Sequence, residues 1–365
     1  MKIKSQASDF FLSANTPQGF FSVFDHLYYP EKNWFCYILK GGPGTGKSTL
    51  MKTIGQKAVE NGIRTEFIHC SSDSDSLDAV IFPELKKCVA DGTAPHVLDP
   101  IYPGATDTII NLGDCWNSTT LYGSKDKIIK VWGENAALLK KSNRYLEAYG
   151  NVAAENKNIV SESVDYEKLE SYCKRLTKKL FKQKSETPGF EQFRFISSIT
   201  PKGHLFFENS IPQNAEQIFI IEDQYDIISG FILQKIREKA LSSGYDILTC
   251  PSPFAPTSEF DAVFIPELKL AFITKNPKRD AELFASLESE NKKINTKRFL
   301  NSETLSQNKN LLNFNLKICN EFLDESIKNL KSAKKVHDNV EVFYKKSMNY
   351  SKINKITDKL ISAIL

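Results

Sequence analysis

Residues 41–48 read Gly41, Gly42, Pro43, Gly44, Thr45, Gly46, Lys47 and Ser48, which fits G-x-x-x-x-G-K-[ST] at every position. The chemistry of such a run is the gripping of a phosphate chain. Its glycines let the backbone curl so that successive N–H groups point inward at phosphate oxygens, and a helix opening there aims the positive end of its dipole at the same anion. In that arrangement Lys47 reaches the β- and γ-phosphates of a nucleoside triphosphate as a point charge, and the Ser48 hydroxyl binds a magnesium ion. Thr49 then supports the phosphates from the first helical turn. ATP is preferred over GTP because no guanine-reading N-K-x-D segment occurs in the first half of the chain.

Magnesium in such a site needs an acidic residue at the end of an apolar strand beside the loop strand. Cys88-Val89-Ala90-Asp91 is the best match, with Asp78 and Glu84 as competitors. Asp91 is thus the expected metal ligand through water and, with Lys47, the expected catalytic pair. Asp73 and Asp75 either orient an attacking water or substrate hydroxyl or form an ordinary solvated acidic turn. His96 either contacts the substrate side of the site or caps a loop.

The flanks supply the elements the motif requires. Phe35-Cys36-Tyr37-Ile38-Leu39 is a short apolar strand run, and Thr49 to Asn61 has helical character ended by Gly62. Arg64 to Cys70 reads as the next strand. From about Ser124 to Phe181 glycine and proline nearly vanish, and apolar residues such as Ile128, Trp132, Leu139 and Leu146 recur at amphipathic helical spacing. The seven cysteines are scattered without a CxxC pair, so neither a disulfide framework nor a zinc site is expected. Lysine and arginine total 48 against 44 acids, a net charge of +4, which does not indicate nucleic acid as a partner. The N-terminus carries no apolar leader, and no run of 18 apolar residues is present. A cytoplasmic address without membrane contact is the expectation.

The chain contains itself twice. Phe11 to Gly19 recurs as Phe195 to Gly203, an offset of 184, and Leu77 to Lys86 recurs as Phe260 to Lys269. The tails agree too: Leu146 and Leu176 fall opposite Leu330 and Leu360. In the second copy Leu312, Leu316, Cys319, Leu323, Ile327 and Leu330 form one apolar helix face. Lys184-Ser185-Glu186-Thr187-Pro188-Gly189 is the natural linker. When the copies are aligned through Gly62 and Gly244, Asp223-Gln224-Tyr225-Asp226-Ile227-Ile228-Ser229-Gly230 lies opposite the phosphate loop. The loop glycines and the lysine are gone. Two carboxylates where a polyphosphate would sit repel it by an amount on the order of several kcal/mol. Asp91 becomes Thr274, whereas Asp78 and Glu84 persist as Asp261 and Glu267; that contrast favours Asp91 for the metal and a structural role for the other two.

The runs Leu39 to Lys52, Phe67 to Leu85 and Asp91 to Ala105 together resemble a bacterial family of tandem P-loop ATPases, over essentially the whole chain. The resemblance implies an α/β fold of two tandem P-loop NTPase-like three-layer α/β/α cores, each followed by an α-helical hairpin. The expected boundaries are 1–185 for copy one, with its arm from about 115, and 186–365 for copy two, with its arm from about 280. The family name implies ATP hydrolysis; in that family the second copy often has its own phosphate loop, which this chain lacks. Three functions follow as expectations: an ATPase with one competent site, a small-molecule kinase using the same site, or a nucleotide-gated adaptor whose arms bind a protein partner. No arginine finger can be assigned from the sequence, and the oligomeric state is not specified by it.

Overall fold

The computed structural model describes residues 7–94, 97–280 and 291–365. The first copy builds β1 (Ala7–Phe11), β2 (Ser13–Thr16), β3 (Gly19–Ser22), β4 (Phe35–Lys40), α1 (Lys47–Glu60), β5 (Thr65–Cys70), β6 (Asp73–Phe82), β7 (Lys87–Asp91) and β8 (Asp107–Asn111). Its arm follows as α2 (Ser118–Tyr122), α3 (Lys125–Ser161) and α4 (Tyr166–Leu180). The second copy runs β9 (Glu191–Phe193), β10 (Ser197–Thr200), β11 (Gly203–Phe206), α5 (Ile211–Asn214), β12 (Gln217–Glu222), α6 (Ile227–Ser242), β13 (Ile247–Pro251), β14 (Phe260–Ile265), β15 (Leu270–Lys275) and β16 (Lys292–Asn295). Its arm is α7 (Ser302–Gln307), α8 (Lys309–Ser347) and α9 (Tyr350–Ile364).

Two six-stranded sheets share one plan, β1-β5-β6-β7-β4-β8 and β9-β13-β14-β15-β12-β16. All strands of each sheet run parallel except β6 and β14, each of which pairs antiparallel with both its neighbours. A small antiparallel sheet, β11-β10-β2-β3, joins the copies at its centre.

Strand alternation decides what each sheet face meets. Along β4, Cys36 and Ile38 point into one core and Leu39 into another; along β12, Ile218 and Ile220 part from Phe219 and Ile221 in the same way. The inner faces of both sheets, with the irregular segments at 23–34 and 206–215, form one continuous core. Apart from the single-turn helix α5 in that core, the helices that cover the sheets lie on their outer faces. This corrects the expectation of two separate three-layer α/β/α cores: the copies share their central layer, because the inner strand faces are as apolar as the outer ones and bury each other.

The arms also depart from the hairpin expectation. The long helices α3 and α8 lie antiparallel along each other, with Asn135 Nδ2 on Ala333 O, Ser142 Oγ on Ser326 Oγ, and Asn315 Nδ2 on Asn156 Oδ1. The short helices cross to the opposite copy. Ile353, Leu360 and Ile364 of α9 pack with Leu50, Met51 and Ile54 of α1, and Leu169 and Cys173 of α4 pack with Ile228 and Ile232 of α6. Each outer sheet face is therefore closed by the other copy's terminal helix. Phe11 and Phe195 exchange backbone hydrogen bonds at 2.7 and 2.8 Å, and Ser142 meets Ser326 at 2.7 Å. Both pairs are 184 apart in sequence, so residues meet their own counterparts and must lie on a two-fold axis relating the copies. Among the described residues no helix is long and apolar enough to cross a membrane.

Candidate functional site

The loop Gly41–Gly46 leaves the carboxyl end of β4 and enters α1 at Lys47, the edge at which open α/β sheets bind ligands. Its turning points, Gly44 and Gly46, have φ of 68° and 94°, a region that glycine occupies without strain. Gly46 is the N-cap of α1 and offers no side-chain cap, so the first N–H groups of the helix keep their capacity for an anion. Lys47 is buried. Its Nζ donates to the carbonyl oxygens of Gly41 and Gly42 at 2.6 and 2.8 Å and stands 3.4 Å from Asp91 Oδ2. Thr45 Oγ1 donates to Gly42 O at 2.8 Å, which braces the turn. The Ser48 hydroxyl accepts the Leu77 N–H at 3.0 Å and retains its own proton and a lone pair. Thr49 is exposed one residue further on, and Pro43 is half-buried in the loop.

β7 lies beside β4, with Asp91 in register with Leu39; in the other copy Thr274 stands beside Ile221 in the same relation. Asp91 Oδ1 accepts the Thr93 N–H at 2.8 Å and lies 2.5 Å from Thr93 Oγ1, which is also 2.9 Å from Gly41 O. Burial pushes the Asp91 carboxyl up, against the opposing pull of Lys47 and Thr93. Asp78 is buried on the adjacent β6, next to the Ala79–Ala90 pair. Its counterpart Asp261 accepts from Ser197 Oγ at 2.5 Å, and burial pushes its carboxyl up to about 6. Glu84 is exposed in the β6–β7 turn, at the opposite end of the sheet from the loop. The structure thus brings Asp91 and Lys47 together and leaves Glu84 apart. His96 lies outside the described residues.

Asp73 and Asp75, at the start of β6, are engaged by cations of the second copy: Lys334 Nζ is 3.3 Å from Asp73 Oδ2, and Lys202 Nζ is 2.7 Å from Asp75 Oδ1. The hydrogen bond from Lys202 holds the Asp75 carboxyl below its usual range. Sequence reading missed a further group of residues altogether. The end of α8 lies on the Gly41–Gly46 loop, where a Cβ on Gly42 would stand 2.4 Å from the Tyr344 ring and one on Gly44 would stand 2.9 Å from Glu341 O. Tyr350 OH lies 3.5 Å from Gly44 O. The sequence signal for these contacts is faint: they sit about 300 positions away, at sites whose first-copy counterparts, Lys157, Val160 and Tyr166, have no motif of their own.

The equivalent place in the second copy is built differently. Asp226, at φ 59°, is the N-cap of α6. Asp223 Oδ2 accepts from Ser229 N at 2.9 Å and lies 3.2 Å from Ser229 Oγ, while Oδ1 accepts from Tyr225 N at 3.1 Å. The anion seat at this helix end is filled by the chain's own carboxylate. Arg279 Nη1 then holds Asp226 at 3.0 Å, and Lys157 of α3 pairs with Glu259. Comparison of the chain with family models, with curated proteins and with solved structures gives no match in any of the three.

Proposed function

We propose that the chain is a magnesium-dependent ATPase on a P-loop NTPase-like fold, with one competent nucleotide site at Gly41 to Thr49 and a degenerate second copy in a structural or regulatory role. The observation that carries this is the contrast between two helix ends in one chain. The α1 end is uncapped, turned on two glycines with positive φ and equipped with Lys47 and Asp91. The α6 end is filled by Asp223.

On this reading the backbone N–H groups of the loop and of the first turn of α1 take the β- and γ-phosphate oxygens. Lys47 exchanges its bonds to the Gly41 and Gly42 carbonyls for those oxygens. Magnesium suits hard oxygen donors and leans on substrate phosphates and water more than on a protein cage. Among the described residues no group of three or more His, Cys, Asp or Glu is arranged for a metal, while the Ser48 hydroxyl and the partly exposed Asp91 carboxylate supply two oxygens at the loop mouth. Those two residues would hold the ion, Ser48 directly and Asp91 through water, and the ion would draw charge from the phosphate oxygens. Lys47 adds a fixed positive charge where negative charge builds on the transferred phosphoryl group. A kinase would use Asp73 or Asp75 to receive an acceptor's proton, but both are tied to lysines, so water is the favoured acceptor. The seven free thiols suit a reducing, cytosolic setting.

Saturating Mg-ATP at ~100 times its dissociation constant should stabilise the fold by about 2.7 kcal/mol, with phosphate released in the absence of any added acceptor. Lys47→Ala should remove both the melting shift and the turnover. A wild-type chain that melts identically with and without Mg-ATP would refute the reading; ATP-dependent stabilisation without phosphate release would make the chain a nucleotide-gated adaptor instead.

A further inference from the structure

Helix α8 belongs to the second copy, yet it runs across the site edge of the first copy's sheet. Tyr344 and Glu341 touch Gly42 and Gly44, at the end of β4, and Lys334 pairs with Asp73, at the start of β6. β7 and its terminal Asp91 lie between those two strands. The spacings agree: seven helical residues from Glu341 to Lys334 advance ~10.5 Å, and two strand intervals from β4 to β6 span ~9.6 Å. The face of α8 carrying Lys334, His337 and Glu341 therefore passes over the gap between the loop and Asp91, where the end of a phosphate chain gripped by Lys47 must lie.

The internal repeat supplies a control. Helix α3 covers the second copy's loop as α8 covers the first, and the counterpart of Lys334 in α3 is Gly150. The counterpart of Lys202 is Gln18, and the second-copy turn before β14 has no acid opposite Asp73 or Asp75, its one acid being Glu259. A cation–carboxylate pair also stands over the second copy's loop, Lys157 of α3 with Glu259, but at the position matching Glu341 and above a helix end already filled by Asp223; the Lys334–Asp73 pair has no counterpart at its own positions. The groups facing Lys334 are Asp73 from β6 and Asp338, on its own helix, with His337 and Glu341 one and two turns on.

We propose that the nucleotide site is composite, and that Lys334 of the second copy's arm is the catalytic cation that neutralises charge on the transferred phosphoryl group, held in place by Asp73. This rests on the ATPase reading above. In the step concerned a water oxygen forms a bond to the γ-phosphorus as the bond to the β–γ bridging oxygen breaks. The electron pair of that bond leaves with ADP, and the water's surplus proton passes to solvent as hydrogenphosphate is released. Lys334 contributes nothing to the covalent balance. It meets the equatorial oxygens on which charge is spread, with a flexible four-carbon stem and three donors suited to that reach.

The test uses the full-length chain and three readouts: ATP affinity, phosphate release, and the affinity for ADP with aluminium fluoride relative to ADP alone. Lys334→Ala should lower kcat ~100-fold or more and abolish the preference for the fluoride complex, with ATP affinity changed by less than about threefold; Lys334→Arg should restore most of both. If Lys334→Ala fails to fold, Lys334→Met keeps the stem and serves the same comparison. The proposal is overturned if kcat and the fluoride preference survive the substitution, or if all three ligands weaken together, the signature of a lysine that merely clasps the two copies. A wild-type chain without ATP binding would defeat the ATPase reading itself, and is distinguished by appearing before any substitution is made.

Discussion

On the ATPase reading Asp91 must carry a charge in a place that resists it. Burial raises its pKa, and Lys47, the Thr93 hydroxyl and the Thr93 N–H only partly offset this. A carboxyl whose folded pKa lies above its unfolded value contributes stability below the unfolded pKa and loses it as pH rises through the folded one. Asp91→Asn keeps the acceptor for Thr93 and discards the charge, so its nucleotide-free form should melt above the wild type at about pH 8, with the gap closing towards about pH 4. Phosphate release should fall in the same variant. A variant that melts lower at the alkaline end would show that the Lys47 attraction outweighs burial. The loop glycines permit a second measurement. Gly104 has φ 79° and open space within 4 Å of where a Cβ would stand, whereas Gly44 has φ 68° and faces Glu341 O at 2.9 Å. Alanine at 104 should cost only the ~1–2 kcal/mol of a left-handed backbone. Alanine at 44 should cost more and also displace α8, so that denaturant midpoints separate the two and ATP affinity falls only for Gly44→Ala.

The exchanged terminal helices make each outer sheet face depend on residues far away in sequence. Leu360 is almost fully buried against α1, so Leu360→Ala should cost about 2–5 kcal/mol and weaken ATP binding through the first copy, although the substitution lies in the second. A loss under about 1 kcal/mol, or one that leaves the first copy's hydrogen-exchange protection intact, would count against that dependence. The glycine turn at 41–46, β4, α1 and the neighbouring strand ending at Asp91 were legible in the sequence because glycine, lysine and period-two patterns are local codes. The exchange was not legible for a physical reason: Leu169, Leu176 and Leu180 in α4 repeat as Ile353, Leu360 and Ile364 in α9, and a sheet face cannot distinguish two stripes of the same shape. The shared core was missed for a related reason. A strand such as Phe35–Lys40 is apolar on both faces whether the second face meets a helix or another sheet. The contacts of Tyr344, Glu341 and Lys334 depend on that exchange and were hidden with it.

The molecule as a whole is a two-fold dimer written in one chain, with Phe11 against Phe195 and Ser142 against Ser326 on the axis. One buried ion pair departs from that symmetry: Arg194 holds Glu66 across the copies at 3.1 Å, and the counterpart of Arg194 is Phe10. Removing one partner of a buried pair costs ~3–5 kcal/mol, so a half-chain must be relieved of that acid before its assembly is judged. Residues 1–185 carrying Glu66→Gln contain a sheet whose outer face needs a terminal helix and a terminal helix, α4, that needs a sheet. The helix cannot serve its own sheet in the arrangement seen, because α3 carries it to the opposite side of the axis. Two half-chains placed about that axis satisfy both needs, with Ser142 meeting Ser142 and Leu169 of each closing α1 of the other. The half-chain should therefore run as a dimer by light scattering, with a melting temperature that rises with protein concentration. A folded monomer at micromolar concentration, with the same helix content, would mean that α4 can fold back on its own sheet and that the exchange follows from linking the copies, not from the arm.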